Sequence, residues 1–215
     1  MIGGEAMLRA IKSYLAFANM TYKLCVLVIL PVSLVVVNVY VLPDEARIGM
    51  DSLRWAFMFD VVSEIFFMRG LYSKNNSALG FMQCSSKFCE TINKIVIIDF
   101  VRRAIVCQIP VLMVLWRSIG DEAAMECCGA LSFMSWMVVL VTQIAVWVVR
   151  HSASGRGMLG SCILGGIVLL IIQSVVEMSG GVAAGVVFIP IVLVFAVAVA
   201  TVWYTDKKMK ESYYD

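Results

Sequence analysis

The sequence is poor in charge. Of its 215 residues only 15% are Asp, Glu, Lys or Arg, while 61% are hydrophobic. Soluble domains carry about 25% charged and about 45–50% apolar residues. A water-soluble domain of this length has no way to hide so much apolar surface, so the composition calls for lipid as its solvent. With only 4 prolines and 15 glycines, the chain has no low-complexity or linker character. His151 is the single histidine, which leaves no second imidazole for a metal site or a serine–histidine pair. The 7 cysteines stand singly or as the vicinal pair Cys127–Cys128, with no CxxC, so neither a disulfide framework nor a zinc site is read from them. They read as small apolar fillers. There is no phosphate-binding loop of the GxxxxGK type, no HExxH and no serine nucleophile elbow. No basic patch interleaves with exposed aromatics, which argues against a nucleic-acid partner. The chain therefore reads as a non-enzyme, with no catalytic residue, metal or cofactor of its own.

What it has in abundance is long apolar runs. A bilayer core is about 30 Å thick and needs about 20 apolar residues in a helix. Six runs meet that length: Leu24–Val41, Leu53–Leu71, Ile95–Trp116, Cys128–Val149, Met158–Val176 and Val182–Trp203. The first, fourth, fifth and sixth contain no charge; the second and third do. Runs this long and continuously apolar predict helices, since barrel strands would be shorter and would alternate. The expected fold is an all-α, polytopic membrane protein of six transmembrane helices, preceded by an N-terminal interfacial amphipathic helix. The segments are 1–23 (interfacial helix), 24–203 (six-helix domain, with a long inner loop at 72–94) and 204–215 (cytoplasmic tail). No cleavable signal is evident. The two halves do not match in loop length or polar placement, which sets aside an inverted repeat.

Lys and Arg favour the cytoplasmic side of a membrane. With the N-terminus inside, all of the 17 basic residues except Arg47, Arg54 and Arg117 fall inside or at the inner boundary. The expectation is a multi-pass protein of the plasma (inner) membrane with both termini cytoplasmic. In the segment Ala6–Lys23, Leu8, Ile11, Leu15 and Ala18 recur at helical spacing, with Arg9 and Lys12 off that stripe. This pattern suits a helix lying in the inner interface.

Several polar residues stand out against this background. Asp60 and Glu64 lie four apart in the second run and share a helical face. A carboxylate at such depth costs about 2.5 kcal/mol or more on insertion scales, so both must face a bundle interior, a water-filled path or a subunit contact. They are candidates for a substrate or proton path together with Gln108 and Gln143; the other reading is a structural pair satisfied by Gln108, Gln143 or Gln173. Asp99, Arg102 and Arg103 are spaced to pair on one face of the third run, and the arginines read as topology anchors that snorkel to the inner boundary. The loop Ser77–Lys94, SALGFMQCSSKFCETINK, suits a short amphipathic helix parallel to the membrane, with Leu79, Met82 and Phe88 apolar and Glu90–Lys94 an i,i+4 pair. Pro31, Pro110 and Pro190 fall inside spans, where they mark kinks. Ser179–Gly185, SGGVAAG, reads as a tight outer turn.

An amphipathic helix before six spans, a basic inner loop between the second and third, short connections elsewhere and the charged tail YTDKKMKESYYD together resemble the membrane-spanning permease subunit of a type-2 ATP-binding-cassette (ABC) exporter. The small size is similar to permeases that export antimicrobial peptides or confer immunity to them. The resemblance covers nearly the whole chain and rests on layout, without a sharp motif. It implies a cytosolic ABC ATPase partner that binds ATP and Mg, and assembly as a homodimer or heterodimer of membrane subunits. It also implies coupling through the inner loop, here Ser77, Leu79, Met82, Lys87, Phe88, Glu90 and Lys94, and an amphipathic substrate, peptide or lipid-like. The two acids in the second span and the minimal outer region depart from the pattern. Two alternatives stand beside it. One is an ion- or proton-coupled carrier using Asp60 and Glu64. The other is the substrate-binding subunit of a vitamin importer, against which Leu24–Val41, with no alanine or glycine, counts.

Overall fold

A computed structural model describes residues 8, 11, 12, 15, 20–41, 46–64, 88–117, 122–151, 155–179 and 184–214. Among these, everything is helical apart from turns at Gln108 and Ser179. Four helices are long and apolar enough to cross a membrane, centred on Met20–Val39, Cys128–Val149, Leu159–Met178 and Gly185–Lys207. They correspond to the four charge-free runs, and they make the chain a helical membrane protein. Of the interfacial segment, Leu8, Ile11, Lys12 and Leu15 are helical with Leu8 and Ile11 exposed; most of the rest lies outside the described residues.

The first rod, α1, strings together Met20–Leu24, Cys25–Ile29, Leu30–Val36 and Val37–Val41. The second and fourth pieces are π-helical. Pro31 lacks an N–H, so the carbonyl four residues back loses its usual donor. The wider coil just before it, where the Leu30 N–H reaches the Cys25 carbonyl, absorbs the mismatch. Ser33 Oγ and Asn38 Nδ2 donate to the carbonyls of Leu30 and Leu34, at 2.8 and 2.7 Å. Met20–Lys23, read from sequence as part of the interfacial helix, is continuous with this rod.

The remaining helices are α2 (Ala46–Ser63), α3 (Phe88–Cys107), α4 (Ile109–Arg117), α5 (Glu122–His151), α6 (Gly155–Met178) and α7 (Ala184–Tyr214). The third run is thus two helices. Pro110 withholds a donor from the turn before it, and the chain breaks at Gln108. Ser135 on α5 secures the break: its Oγ donates to the Cys107 carbonyl at 2.9 Å and accepts from Gln108 Nε2 at 2.7 Å. Pro190 is carried inside α7 without a break, and α7 takes up most of the expected tail as a continuous helix to Tyr214. Likewise, Phe88, Glu90 and Lys94 belong to α3, so no separate loop helix ends at Lys94. Ser77, Leu79, Met82 and Lys87 lie outside the described residues.

Helix α5 is the hub. It packs against α2, α3, α4, α6 and α7. Half of its apolar window is buried, against 22–28% for the other three long apolar helices, each of which turns one face outward. Met50, Leu53, Phe57 and Val61 of α2 meet Leu131, Met134, Val138 and Val146 of α5 in the main core. Glycine permits two close approaches. A Cβ on Gly165 of α6 would lie 2.5 Å from Phe57 Cζ and 3.1 Å from Val141 Cγ1, and one on Gly49 of α2 would lie 2.6 Å from Leu131 Cδ2.

Hydrogen bonds fix which ends lie together. Tyr22 near the start of α1 meets Glu64 just past α2 and Asp99 of α3, and Gln143 and Thr201 late in α5 and α7 join the same level. At the opposite level, Asn38 late in α1 meets Ser52 early in α2 at 3.2 Å, and Gln173 late in α6 meets Asp51 at 3.1 Å. Successive rods therefore alternate in direction.

Candidate functional site

Five charged side chains converge from two helices that are poor candidates for simple lipid-facing spans. Asp60 is on α2, Glu64 just beyond its last residue, and Asp99, Arg102 and Arg103 lie on α3. All five are buried, with Glu64 and Asp99 fully inaccessible. The i,i+4 step brings Asp60 and Glu64 to one face of the helix, and the i,i+3 and i,i+4 steps do the same for Asp99 with each arginine.

The geometry is interlocked. Asp60 presents one oxygen to each arginine: Oδ1 accepts from Arg102 Nη2 at 2.7 Å, and Oδ2 from Arg103 Nε at 2.6 Å. Asp99 does the same, accepting through Oδ1 from Arg102 Nε and Nη2 at 3.1 and 3.0 Å and through Oδ2 from Arg103 Nη2. Arg103 Nη2 also reaches Glu64 Oε1 at 3.1 Å. Tyr22 of α1 donates toward Glu64 Oε1 and Asp99 Oδ1, at 3.3 and 3.4 Å. From the far side of Arg103 a polar chain leads outward: Nη1 donates to Gln143 Oε1 at 2.8 Å, Gln143 Nε2 to Thr201 Oγ1 at 3.3 Å, and Thr201 Oγ1 to the Ala198 carbonyl at 2.8 Å. Four rods thus meet at this level, and α2 joins them through Asp60.

A charge taken out of water costs several kcal/mol unless it is paired and hydrogen-bonded. The forked guanidinium donors and the doubly used carboxylates supply that pairing. Leu30, Leu34, Ala56 and Val106 form an apolar layer alongside, which keeps the local dielectric low. The gap beside the cluster, lined by Leu30, Asp60, Arg102, Arg103 and Thr142 among others, has about 10 Å³ of free volume. That is the margin for one water. Among the described residues, this gap is too small for anything larger than water.

Of the residues singled out from sequence, Asp60, Glu64 and Gln143 are brought together. Gln108 is not: it serves the α3–α4 break. Gln173, a proposed partner for the acids, sits at the opposite level, donating to Asp51 and to Glu177 at 3.1 and 2.8 Å. Arg102 and Arg103 do not snorkel; at 9% and 2% exposure they are the centre of the site. The acids choose arginines one helix away because only a charged donor repays their desolvation. Two participants were missed. Tyr22 falls in the segment expected to be the interfacial helix, and Thr201 falls unremarked in the apolar run Val182–Trp203. The signal that identifies the cluster is the complementarity of neighbouring helices: an acidic pair four apart in one, and an acid followed by two arginines at three and four in the next.

Comparison with known proteins gives no guide to the site: no protein-family model, curated protein or solved structure matches the chain.

Proposed function

We propose that this chain is the permease subunit of an exporter, a six-span protein with both termini in the cytoplasm that is driven by a separate ATP-hydrolysing subunit acting on the inner loop 72–94. The observation that carries the reading is the continuity of α3. One unbroken helix runs from Phe88, inside the stretch expected to contact the ATPase, to Cys107, past Asp99, Arg102 and Arg103. From Phe88 to Asp99 is 11 residues, about 16 Å at 1.5 Å per residue. A push at the loop end of a rigid helix therefore moves the arginines that tie α2, α5 and, through Gln143, α7 together. Interlocked buried pairs exchange as a set between discrete packings, which is the behaviour alternating access requires. The alternating direction of the rods and the basic residues at the ends that share the cluster's level support the six-span orientation.

The reading predicts a gene for a soluble, phosphate-loop ATPase beside this one, and the test is co-expression of the two. The pair co-purifies and hydrolyses ATP, the chain alone does not, and Glu90→Lys abolishes transport without loss of membrane insertion. Failure to recover any ATPase with the chain overturns the reading.

A second reading is favoured by the carboxylates themselves: Asp60 and Glu64 sit among ionic partners that a bound or released proton would rearrange. A proton-coupled carrier would transport in liposomes under a pH gradient with no ATPase present, and Asp60→Asn with Glu64→Gln would abolish it. Transport that needs ATP and survives both substitutions excludes it.

A further inference from the structure

The side of α5 not covered by α6 or α7 exposes Ile144, and a cavity opens on each flank of it. The one toward α7 has about 330 Å³ of free volume and is lined by Ile144, Trp147, Val197, Ala200, Thr201, Trp203 and Tyr204. That is within the range of small-molecule sites, about 300–1,000 Å³. The Thr201 hydroxyl in the wall is committed to the Ala198 carbonyl and to Gln143, so the stretch along Ile144, Val197 and Ala200 suits an apolar occupant. One end is different. Trp147 and Tyr204 meet edge to face at 5.1 Å, and one turn further along α7 the exposed Lys207 lies over the Trp203 ring, its Nζ 5.7 Å from the centroid. Aromatic rings with a cation beyond them are what a helix shows where hydrocarbon gives way to headgroups.

We propose that this groove is a site for an anionic phospholipid, with one acyl chain along Ile144, Val197 and Ala200 and the phosphate at Lys207. Charge complementarity selects the occupant: a neutral tail for the wall, a negative head for the ammonium. Because Thr201 belongs both to the groove wall and to the hydrogen-bonded chain that starts at Arg103, an occupied groove contacts the last link of the ion cluster. The site is independent of the ATPase-driven reading; it rests only on α5 and α7 lying in lipid.

The experiment uses the full chain with Trp55, Trp116 and Trp136 changed to Phe, so that Trp147 and Trp203 report the groove. It is reconstituted in phosphatidylcholine vesicles containing a small fraction of lipid brominated on the acyl chain, either phosphatidylglycerol or phosphatidylcholine. Brominated phosphatidylglycerol quenches at about fivefold lower mole fraction than brominated phosphatidylcholine, the preference one lysine confers. Lys207→Gln brings the two curves together, and Ala200→Phe weakens quenching by both. Equal quenching by the two lipids, or a preference that persists in Lys207→Gln, overturns the proposal. Should the tryptophan substitutions impair folding, native mass spectrometry of the unsubstituted chain decides: phosphatidylglycerol retained in preference to phosphatidylcholine, and lost with Lys207→Gln, supports the site, whereas equal retention overturns it.

Discussion

Arg103 touches more of the cluster than any other side chain described. It donates to Asp60, Glu64, Asp99 and Gln143. Arg103→Ala would leave carboxylates in an apolar layer without their shared donor, and breaking one side of a buried pair costs about 3–5 kcal/mol. We expect the variant to lose most of its thermal stability in detergent, read as a drop in the unfolding midpoint. Arg103→Lys would not restore it, because a single ammonium cannot hold oxygens from three carboxylates in a planar fork. Tyr22→Phe is the contrast. Its hydroxyl sits 3.3 and 3.4 Å from oxygens that also accept from arginine, so its loss should cost about 1 kcal/mol. A Tyr22→Phe variant as unstable as Arg103→Ala would mean that the phenol, and not the guanidinium, holds the site together. This imbalance also explains what was readable from sequence. The cost of an acid in an apolar run is a property of the residue, so Asp60 and Glu64 announced themselves. Their partners were set by which helix lies beside α2, information no local pattern holds. Arginines near the end of a span are compatible with snorkelling or with burial until the packing is known.

At the scale of elements, the charge-free runs became helices because lipid leaves the backbone no other way to satisfy its polar groups. Their boundaries were less legible. The expectation that Lys94 ends one helix and Ile95 starts another rested on the change from polar to apolar composition, but α3 runs straight through it. A helix has no reason to stop where its surroundings change unless a cap or breaker is present. Pro110 is such a breaker, and the chain does break beside it. Removing Ser135, which serves both Gln108 and the Cys107 carbonyl, should loosen that junction: Ser135→Ala should cost about 1–3 kcal/mol, and hydrogen exchange should rise at Gln108 and Val111 more than along α6. Uniform exchange across both regions would show that the junction is held by packing alone. The α2–α6 crossing makes a second test. At Gly165 an added methyl meets Phe57 on one side and Val141 on the other, so neither can yield freely. Gly165→Ala should destabilise by about 1–3 kcal/mol, whereas Gly160→Ala, where a Cβ would meet nothing within 4 Å, should be close to neutral.

For the whole molecule, the six-span reading depends on α2 and on α3 with α4, which are not among the four helices long and apolar enough to cross a membrane. Within them, Asp60, Glu64, Arg102 and Arg103 point at one another, and a protein interior can carry across a membrane what an isolated helix cannot. On the six-span reading, the ion cluster is what lets these two rods span. This ties the topology to the chemistry in a way that can be measured. Reporter fusions after Glu45, Asp121 and Gly181 should report the outside, and fusions after Lys74, Ser154 and Asp215 the cytoplasm. With Arg102→Ala and Arg103→Ala combined, α2 and α3 lose their internal partners, and the fusion after Lys74 should shift toward a mixed or outside signal while the one after Ser154 stays cytoplasmic. If Lys74 remains wholly cytoplasmic in the double variant, insertion of these helices does not depend on the cluster, and the basic residues around the loop hold it inside unaided. If Lys74 reports the outside in the unaltered chain, the six-span arrangement fails, because α1 and α2 would then not form a returning pair.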